Sequence, residues 1–333
     1  MRALHCQRSL QIQDRDLEVL KGLYDSRIYM LHHIAALYFC NQREYAKKRV
    51  GRLKTAGYLI ERPRQPTQLG VMQLSRTGYE VLVRRGNLAG SPGRAFGRFE
   101  NRMRVSPLTL VHEIAVLDCK VAIVSAINGL SGFSMAEFST RPATYQFEAR
   151  LPNGSRAIMK PDGFARIRES RDGHFNEQRF FLEVDRSTEA QEILAAKVAG
   201  YLDYYRSGNF AARMGGDRTN FRQYPFRTLM VFCSPERRDN AARRLLLHTP
   251  PILTISWLTT MNEFTRNPLG PIWLTPGQFL AKRSENIASK SSGYMFTEAP
   301  KISLNPSQVR LLADEGLLHS RACRDLDPRM GGV

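Results

Sequence analysis

Acidic residues are scarce in this chain: 31 Asp and Glu stand against 49 Lys and Arg, a formal charge of +18 over 333 residues. A surplus that large argues against an anionic surface and favours a polyanionic partner. Long apolar runs are missing too. None reaches about 18 residues without a charge, so no membrane-spanning helix is expected. The opening stretch "MRALHCQRSLQIQDRD" has no apolar core for a secretory signal, which makes the cytoplasm the expected compartment. The five cysteines, Cys6, Cys40, Cys119, Cys233 and Cys323, are odd in number and far apart. With no CxxC or Cys/His cluster, neither a disulfide framework nor a zinc finger is expected. "GRAFGRFENR" lacks the Lys-Ser/Thr ending of a phosphate loop, and His112-Glu113 has no second histidine at helical spacing. Kinase, ATPase and zinc-protease chemistry are thereby disfavoured. No internal repeat is seen.

The positive charge is uneven. Residues 1–104 hold 20 Lys and Arg against 8 Asp and Glu. Within them "DRDLEVLKGLYDSRI" spaces Leu17, Leu20, Leu23 and Tyr24 as a helix, with Asp14 as the candidate cap. "MLHHIAALYF" predicts a second helix and "REYAKKRVGRLKTAG" a third, stopped by Gly57. The third carries an apolar line, Tyr45, Val50 and Leu53, and six cations: Arg43, Lys47, Lys48, Arg49, Arg52 and Lys54. Two short strands, "YLIERP" and "VMQLSR", flank the loop holding Arg64, and "TGYEVLVRRG" closes as a helix. Three helices and a hairpin in this order describe a winged helix-turn-helix over 10–86. Its third helix is expected in the major groove, with wing residues such as Arg62 and Arg64 on the backbone. Double-stranded DNA is the expected partner, and paired half-sites would suit a homodimer. A merely solvated helix face is the plainer alternative.

Residues 87–106 are rich in Gly and Arg without a period and read as a linker. From 107 to 275 the texture changes to alternating helices and strands in the order α-β-β-β-α-β-α-β, an α/β domain. Ser187 or Thr188 is the expected cap of the helix holding Lys197. Residues 276–333 form an extension, partly flexible, to which no chemistry is assigned.

The acids of this second domain are ordered. Pro161-Asp162 opens one apolar run, Glu183-Val184-Asp185 closes another, and Lys197 follows within a helix. Phosphodiester hydrolysis calls for a divalent cation that neutralises developing charge and activates water. Mg²⁺, or Mn²⁺ in its place, takes one or two carboxylates, which Asp162 and Glu183 would supply. A nearby lysine would stabilise the attacking water or the phosphoryl oxygens.

The pattern resembles the PD-(D/E)xK nuclease superfamily, whose restriction-endonuclease-like core is α-β-β-β-α-β. The resemblance implies catalytic Asp162, Glu183 and Lys197, with an added acid on the first helix, Glu113 or Asp118. It departs at Asp185, which stands where the lysine is usually found and becomes a third metal ligand or a supporting acid. Lys197 would replace that lysine from the next helix. More narrowly, "KPDGF", "FLEVDRSTE", Lys197 and Tyr201 behind an N-terminal winged helix resemble the replication-relaxation family of bacterial plasmid and integrative-element proteins. That family includes proteins related to MobC-type relaxases. The resemblance covers roughly residues 12–275 and adds Arg186, Thr188 and Glu189 to the matching positions. It implies a metal-dependent nick in DNA during mobilisation or replication, single-stranded DNA at the cut, and other mobilisation proteins as partners. His32-His33 lacks the His-x-His pair of the common relaxases.

Plainer readings stand beside each residue. Asp162 before Gly163 shapes a turn, and Glu183 and Asp185 form salt bridges with Arg186 or Lys197. Glu189 is a helix N-terminal acid, and Tyr201 is a core residue rather than a covalent nucleophile. A non-catalytic DNA-binding regulator on a degenerate nuclease fold is the alternative function, and an adaptor that recruits mobilisation proteins is a third.

Overall fold

The computed structural model describes residues 10–88, 99–144, 146–171, 174–186 and 189–281. Residues 89–98 of the expected linker lie outside them, as do the expected caps Ser187 and Thr188 and everything beyond 281. The chain forms two compact units. Unit 1 takes residues up to Val121 together with Ser139–Ala143; unit 2 takes Ala122–Phe138 and the residues from Thr144 onward.

Unit 1 runs α1 (Asp14–Ser26), β1 (Tyr29–Met30), α2 (Leu31–Tyr38), α3 (Arg43–Thr55), β2 (Leu59–Glu61), β3 (Val71–Leu74) and α4 (Arg76–Arg84). To these it adds α5 (Phe99–Met103) and the part of α6 (Pro107–Asn128) that runs to Val121. Leu17, Leu20, Leu23 and Tyr24 of α1 are buried, as their spacing predicts. The cap differs from expectation. Gln13 is the N-cap, Asp14 is the first helical residue, and Asp16 accepts the Gln13 amide at 2.8 Å. A carboxylate at the third helical position reaches back to that amide, which one at the first cannot. In α3 the buried line is Ala46, Val50 and Leu53. Tyr45, expected on it, is 70% exposed. The steps from 46 to 50 to 53 keep a helical face, whereas 45 to 50 does not. Gly57 ends α3 at φ +78°, a conformation that a side chain resists. The three strands pair antiparallel in the order β1-β3-β2, and the two-residue β1 has no signature in the sequence.

Unit 2 centres on a five-stranded sheet of order β10-β9-β8-β7-β4, formed by β4 (Phe133–Thr140), β7 (Gly163–Arg171), β8 (His174–Asp185), β9 (Arg227–Phe232) and β10 (Ser256–Thr260). β7 and β8 run antiparallel, while β8, β9 and β10 run parallel. Parallel neighbours need crossovers. These are α7 (Gln191–Arg206) with α8 (Asn209–Arg213) and a 3-10 turn at Arg218–Gln223, then α9 (Pro235–Leu246). After β10 comes α10 (Met261–Arg266).

The apolar stretch "RAIMKPDGFARI" forms two strands. β6 (Arg156–Met159) pairs with β5 (Phe147–Arg150) in a separate hairpin, and β7 begins at Gly163. Pro161 between them has no N–H for a ladder. The hairpin packs on α7, with the Phe147 ring stacked 3.8 Å from that of Tyr204. Gly200 permits this approach: a Cβ there would stand 3.1 Å from Met159 Sδ and 3.4 Å from Ala149 Cβ. Phe164, Phe181, Tyr201, Phe210 and Phe226 fill the core beneath. Among the described residues no helix is long and apolar enough to cross a membrane.

Candidate functional site

Asp162 precedes the first residue of β7, and its amide donates to Leu182 O of β8 at 3.1 Å. That bond carries the β7–β8 register one step past Gly163↔Leu182 and sets Asp162 beside Glu183. Asp162 Oδ2 then accepts the Val184 amide at 2.9 Å. On β8, Glu183 and Asp185 share a face because side chains alternate. All three acids are buried.

Two side chains one turn apart on α7 meet Glu183. The Tyr201 hydroxyl donates to Oε1, and Lys197 Nζ stands 3.5 Å from Oε2. Lys197 also donates to Glu189 Oε1 at 2.7 Å. Burial opposes charge on this lysine. Glu183 foremost, then Glu189 and Asp162, outweigh it and hold the ammonium above the ordinary lysine value. Asp185 is engaged elsewhere: its Oδ2 accepts from Arg237 Nε of α9 at 2.7 Å. The same guanidinium donates to Glu189 O, bracing the approach to α7. Among the described residues the salt-bridge partner of Asp185 is Arg237 rather than Arg186 or Lys197, while Lys197 bridges to Glu183 as the plainer reading expects. Arg237 was missed in the sequence, although a signal existed. Cations in the first turn of "PERRDNAARRLLLH" oppose the helix dipole and call for carboxylate partners.

Glu113 and Asp118 belong to unit 1, where both are occupied. Glu113 pairs with Arg27; burial raises its pKa and Arg27 partly offsets this. Asp118 Oδ1 lies 3.2 Å from His32 Nε2 and 2.9 Å from His33 Nε2. Burial would raise the Asp118 pKa, but hydrogen bonds from His32 and His33 pull it down to about 2. Among the described residues, His32, His33 and Asp118 are the one set of three His, Cys, Asp or Glu donors that lie within 4.8 Å of one another. Asp162, Glu183 and Asp185 do not make such a set. The histidine cluster is nonetheless poorly suited to a metal. His33 Nδ1 accepts the Met30 amide at 3.1 Å, so the neutral ring carries its proton on Nε2, the atom facing Asp118. Coordination there would move that proton onto Nδ1, against the Met30 N–H.

The eight cations expected at DNA divide into two groups. Arg43, Lys47, Lys48 and Arg52 are exposed on α3. Arg49 holds Asp16 through two hydrogen bonds and donates to Gln11 O at 2.9 Å. Lys54 pairs with Glu61, as does Arg64, which also donates to Gln68 O at 2.8 Å. Arg62 donates to Val105 O at 2.9 Å.

These features define a mixed α/β protein in two units, the first strongly cationic and the second built around a buried acid–lysine–tyrosine cluster. The family model described as Replication-relaxation matches residues 20–218, more than half of the chain. The chain belongs to the replication-relaxation family, and a role in replication or mobilisation goes with that membership. No curated protein and no solved structure matches it.

Proposed function

We propose that this is a DNA-processing protein of plasmid or mobile-element replication and mobilisation, which binds duplex DNA through unit 1 and nicks it in unit 2. In this reading unit 1 is a winged helix with α3 in the major groove, and unit 2 is a restriction-endonuclease-like PD-(D/E)xK domain. The observation that carries it is the convergence on Glu183: a strand-end carboxylate beside Asp162, met by an ammonium and a phenol from one helix face. A largely buried ammonium held charged by neighbouring carboxylates is the kind of perturbed group that clusters at functional sites, and the carboxylates suit a cation.

Asp162 and Glu183 are the residues that would hold Mg²⁺ or Mn²⁺. Their hard carboxylate oxygens on neighbouring strands fit the small ligand share that Mg²⁺ takes from a protein. When bound, the cation supplies charge neutralisation and water activation. Lys197 keeps its proton and offers positive charge to a phosphoryl oxygen, Tyr201 fixes the Glu183 carboxylate, and the Arg237–Asp185 pair anchors the strand end. Asp185 supports the site in this reading rather than serving as a third ligand.

The test is nicking of supercoiled plasmid carrying the cognate origin, with Mg²⁺ or Mn²⁺. Asp162→Asn and Glu183→Gln preserve the hydrogen bonds to Val184 and Tyr201 and are expected to abolish nicking. Lys197→Met is expected to slow it on the order of 100-fold. Unchanged nicking in the two carboxamide variants removes the assignment. One observation favours a second reading, a non-catalytic DNA-binding regulator: Lys197 sits nearer Glu189, at 2.7 Å, than Glu183, at 3.5 Å. Wild-type protein that binds origin DNA but nicks it with neither metal would establish that reading.

A further inference from the structure

The strand pair that carries the acids also carries a group of arginines that the nicking reading does not use. Along β8, side chains 175, 177, 179, 181 and 183 share one sheet face; opposite them on β7 stand 170, 168, 166 and 164. The acid cluster occupies one end of this face and the aromatic core its middle. At the other end Arg166 lies directly across from Arg179, and Arg168 across from Glu177. Like charges facing each other across a ladder are destabilising, so such a pair calls for a counter-charge.

Glu177 alone serves three guanidinium groups, Arg168 and Arg179 at 3.1 Å each and Arg166 at 3.6 Å. Glu137 of β4 adds one looser approach, 3.8 Å from Arg166 Nε. Among the described residues, two carboxylates thus face three cations, and the Nε atoms of all three arginines are buried without a hydrogen-bond partner. Beside them Phe175 is 69% exposed, with the Arg168 guanidinium 5.4 Å from its ring centre. Apart from that guanidinium contact, most of this large apolar ring faces solvent.

We propose that this end of the β7–β8 ribbon is a second nucleic-acid site that takes single-stranded DNA, with the arginines on phosphate and Phe175 stacked under an unpaired base. Charge complementarity selects the polymer, because guanidinium groups match phosphate in geometry and sign. The exposed ring selects the single strand, because paired bases offer no face for stacking. From residue 175 to 179 the site spans roughly 13 Å along the ribbon. Its assignment to DNA rests on the reading that the chain processes DNA; the surface is built from other residues than those of α3 and the acid cluster.

The experiment uses the full chain, a labelled oligothymidylate and a labelled duplex, with binding read by fluorescence anisotropy across a salt series. Phe175→Ala is expected to weaken oligothymidylate binding about tenfold, and Phe175→Trp to preserve it. Arg168→Gln is expected to flatten the log–log salt slope by about 0.7. Neither change should alter duplex affinity, whereas Lys47→Gln with Arg52→Gln should weaken the duplex and leave the oligothymidylate alone. Wild-type protein that ignores the oligothymidylate, or Phe175→Ala and Arg168→Gln proteins that bind it normally while melting as wild type does, overturns the proposal. Equal losses on both DNAs overturn the single-strand assignment. If only the Lys47/Arg52 result fails, the reading of α3 falls and the ribbon stands.

Discussion

Arg49 sits in the middle of the cationic run "KKRVGR", yet its guanidinium grips Asp16, a carboxylate 1% exposed that also closes the start of α1. The hydrogen bond to Asp16 raises the arginine's already high pKa. Removing one partner of such a pair strands the other charge in the interior, which costs several kcal/mol. Arg49→Ala is therefore expected to destabilise the fold by roughly 3 kcal/mol in urea unfolding, and a loss below about 0.5 kcal/mol would refute this role. His33 poses a proton question instead. Burial, foremost, lowers its pKa, and the nearby His32 and Lys120 charges act the same way; the hydrogen bond and charge of Asp118 act against them. A neutral ring in the fold and an ordinary one in the unfolded chain mean that the unfolded state takes up more protons below about pH 6.5. Stability should be complete above that pH and decline as the solution is acidified, until the folded ring protonates and releases the Met30 amide. His33→Gln, which keeps an acceptor at the third helical position, is expected to flatten that decline between pH 7 and pH 5, as followed by the urea midpoint.

At the scale of elements, α3 divides its cations by face. Arg43, Lys47, Lys48 and Arg52 point outward with Tyr45 and Gly51, while Arg49 turns inward and Lys54 turns to Glu61. Replacing Lys47, Lys48 and Arg52 together by Gln should lower duplex affinity and reduce the salt slope by about 0.9 for each phosphate that the helix no longer neutralises. An unchanged slope would show that this helix does not face phosphate. The helix itself was legible in the sequence, because Val50, Leu53 and Gly57 mark its core side and its end. The division among its cations was not: which arginine finds a buried acid depends on α1, which lies far away in sequence. β8 was likewise legible as an apolar run ending in acids. Its pairing register, which sets Asp162 beside Glu183 and Arg166 across from Arg179, is a tertiary property and leaves no mark in a single strand's pattern.

Across the whole molecule, the sequence and the structure agree that helices with a small sheet come first and an α/β arrangement follows; that its sheet is mixed emerges only in the fold. Order of elements is written in local periodicity; partnership is not. The main sheet keeps β4, β7 and β8 before α7 and β9 after it, but β5 and β6 leave to form their own hairpin, and the sequence marks that departure only by Pro161. Tyr201 was legible as a buried helix residue, whereas its bond to Glu183 awaited the fold. Arg237 shows the same limit from the other side, since its partners lie 52 and 48 positions away.

The polypeptide passes from one unit to the other after Val121, returns at Ser139 and leaves again after Ala143. Thr140 Oγ1, on the returning stretch, donates to Ser26 at 3.0 Å, so that short piece is integral to the unit that holds α1. A single crossover in a gene could not exchange the front half for another and keep both halves intact, because three junctions would have to match at once. Variation in what either unit binds would therefore be expected to come from substitutions on its surface rather than from exchange of a whole half, because the chain path ties the two units together at three points.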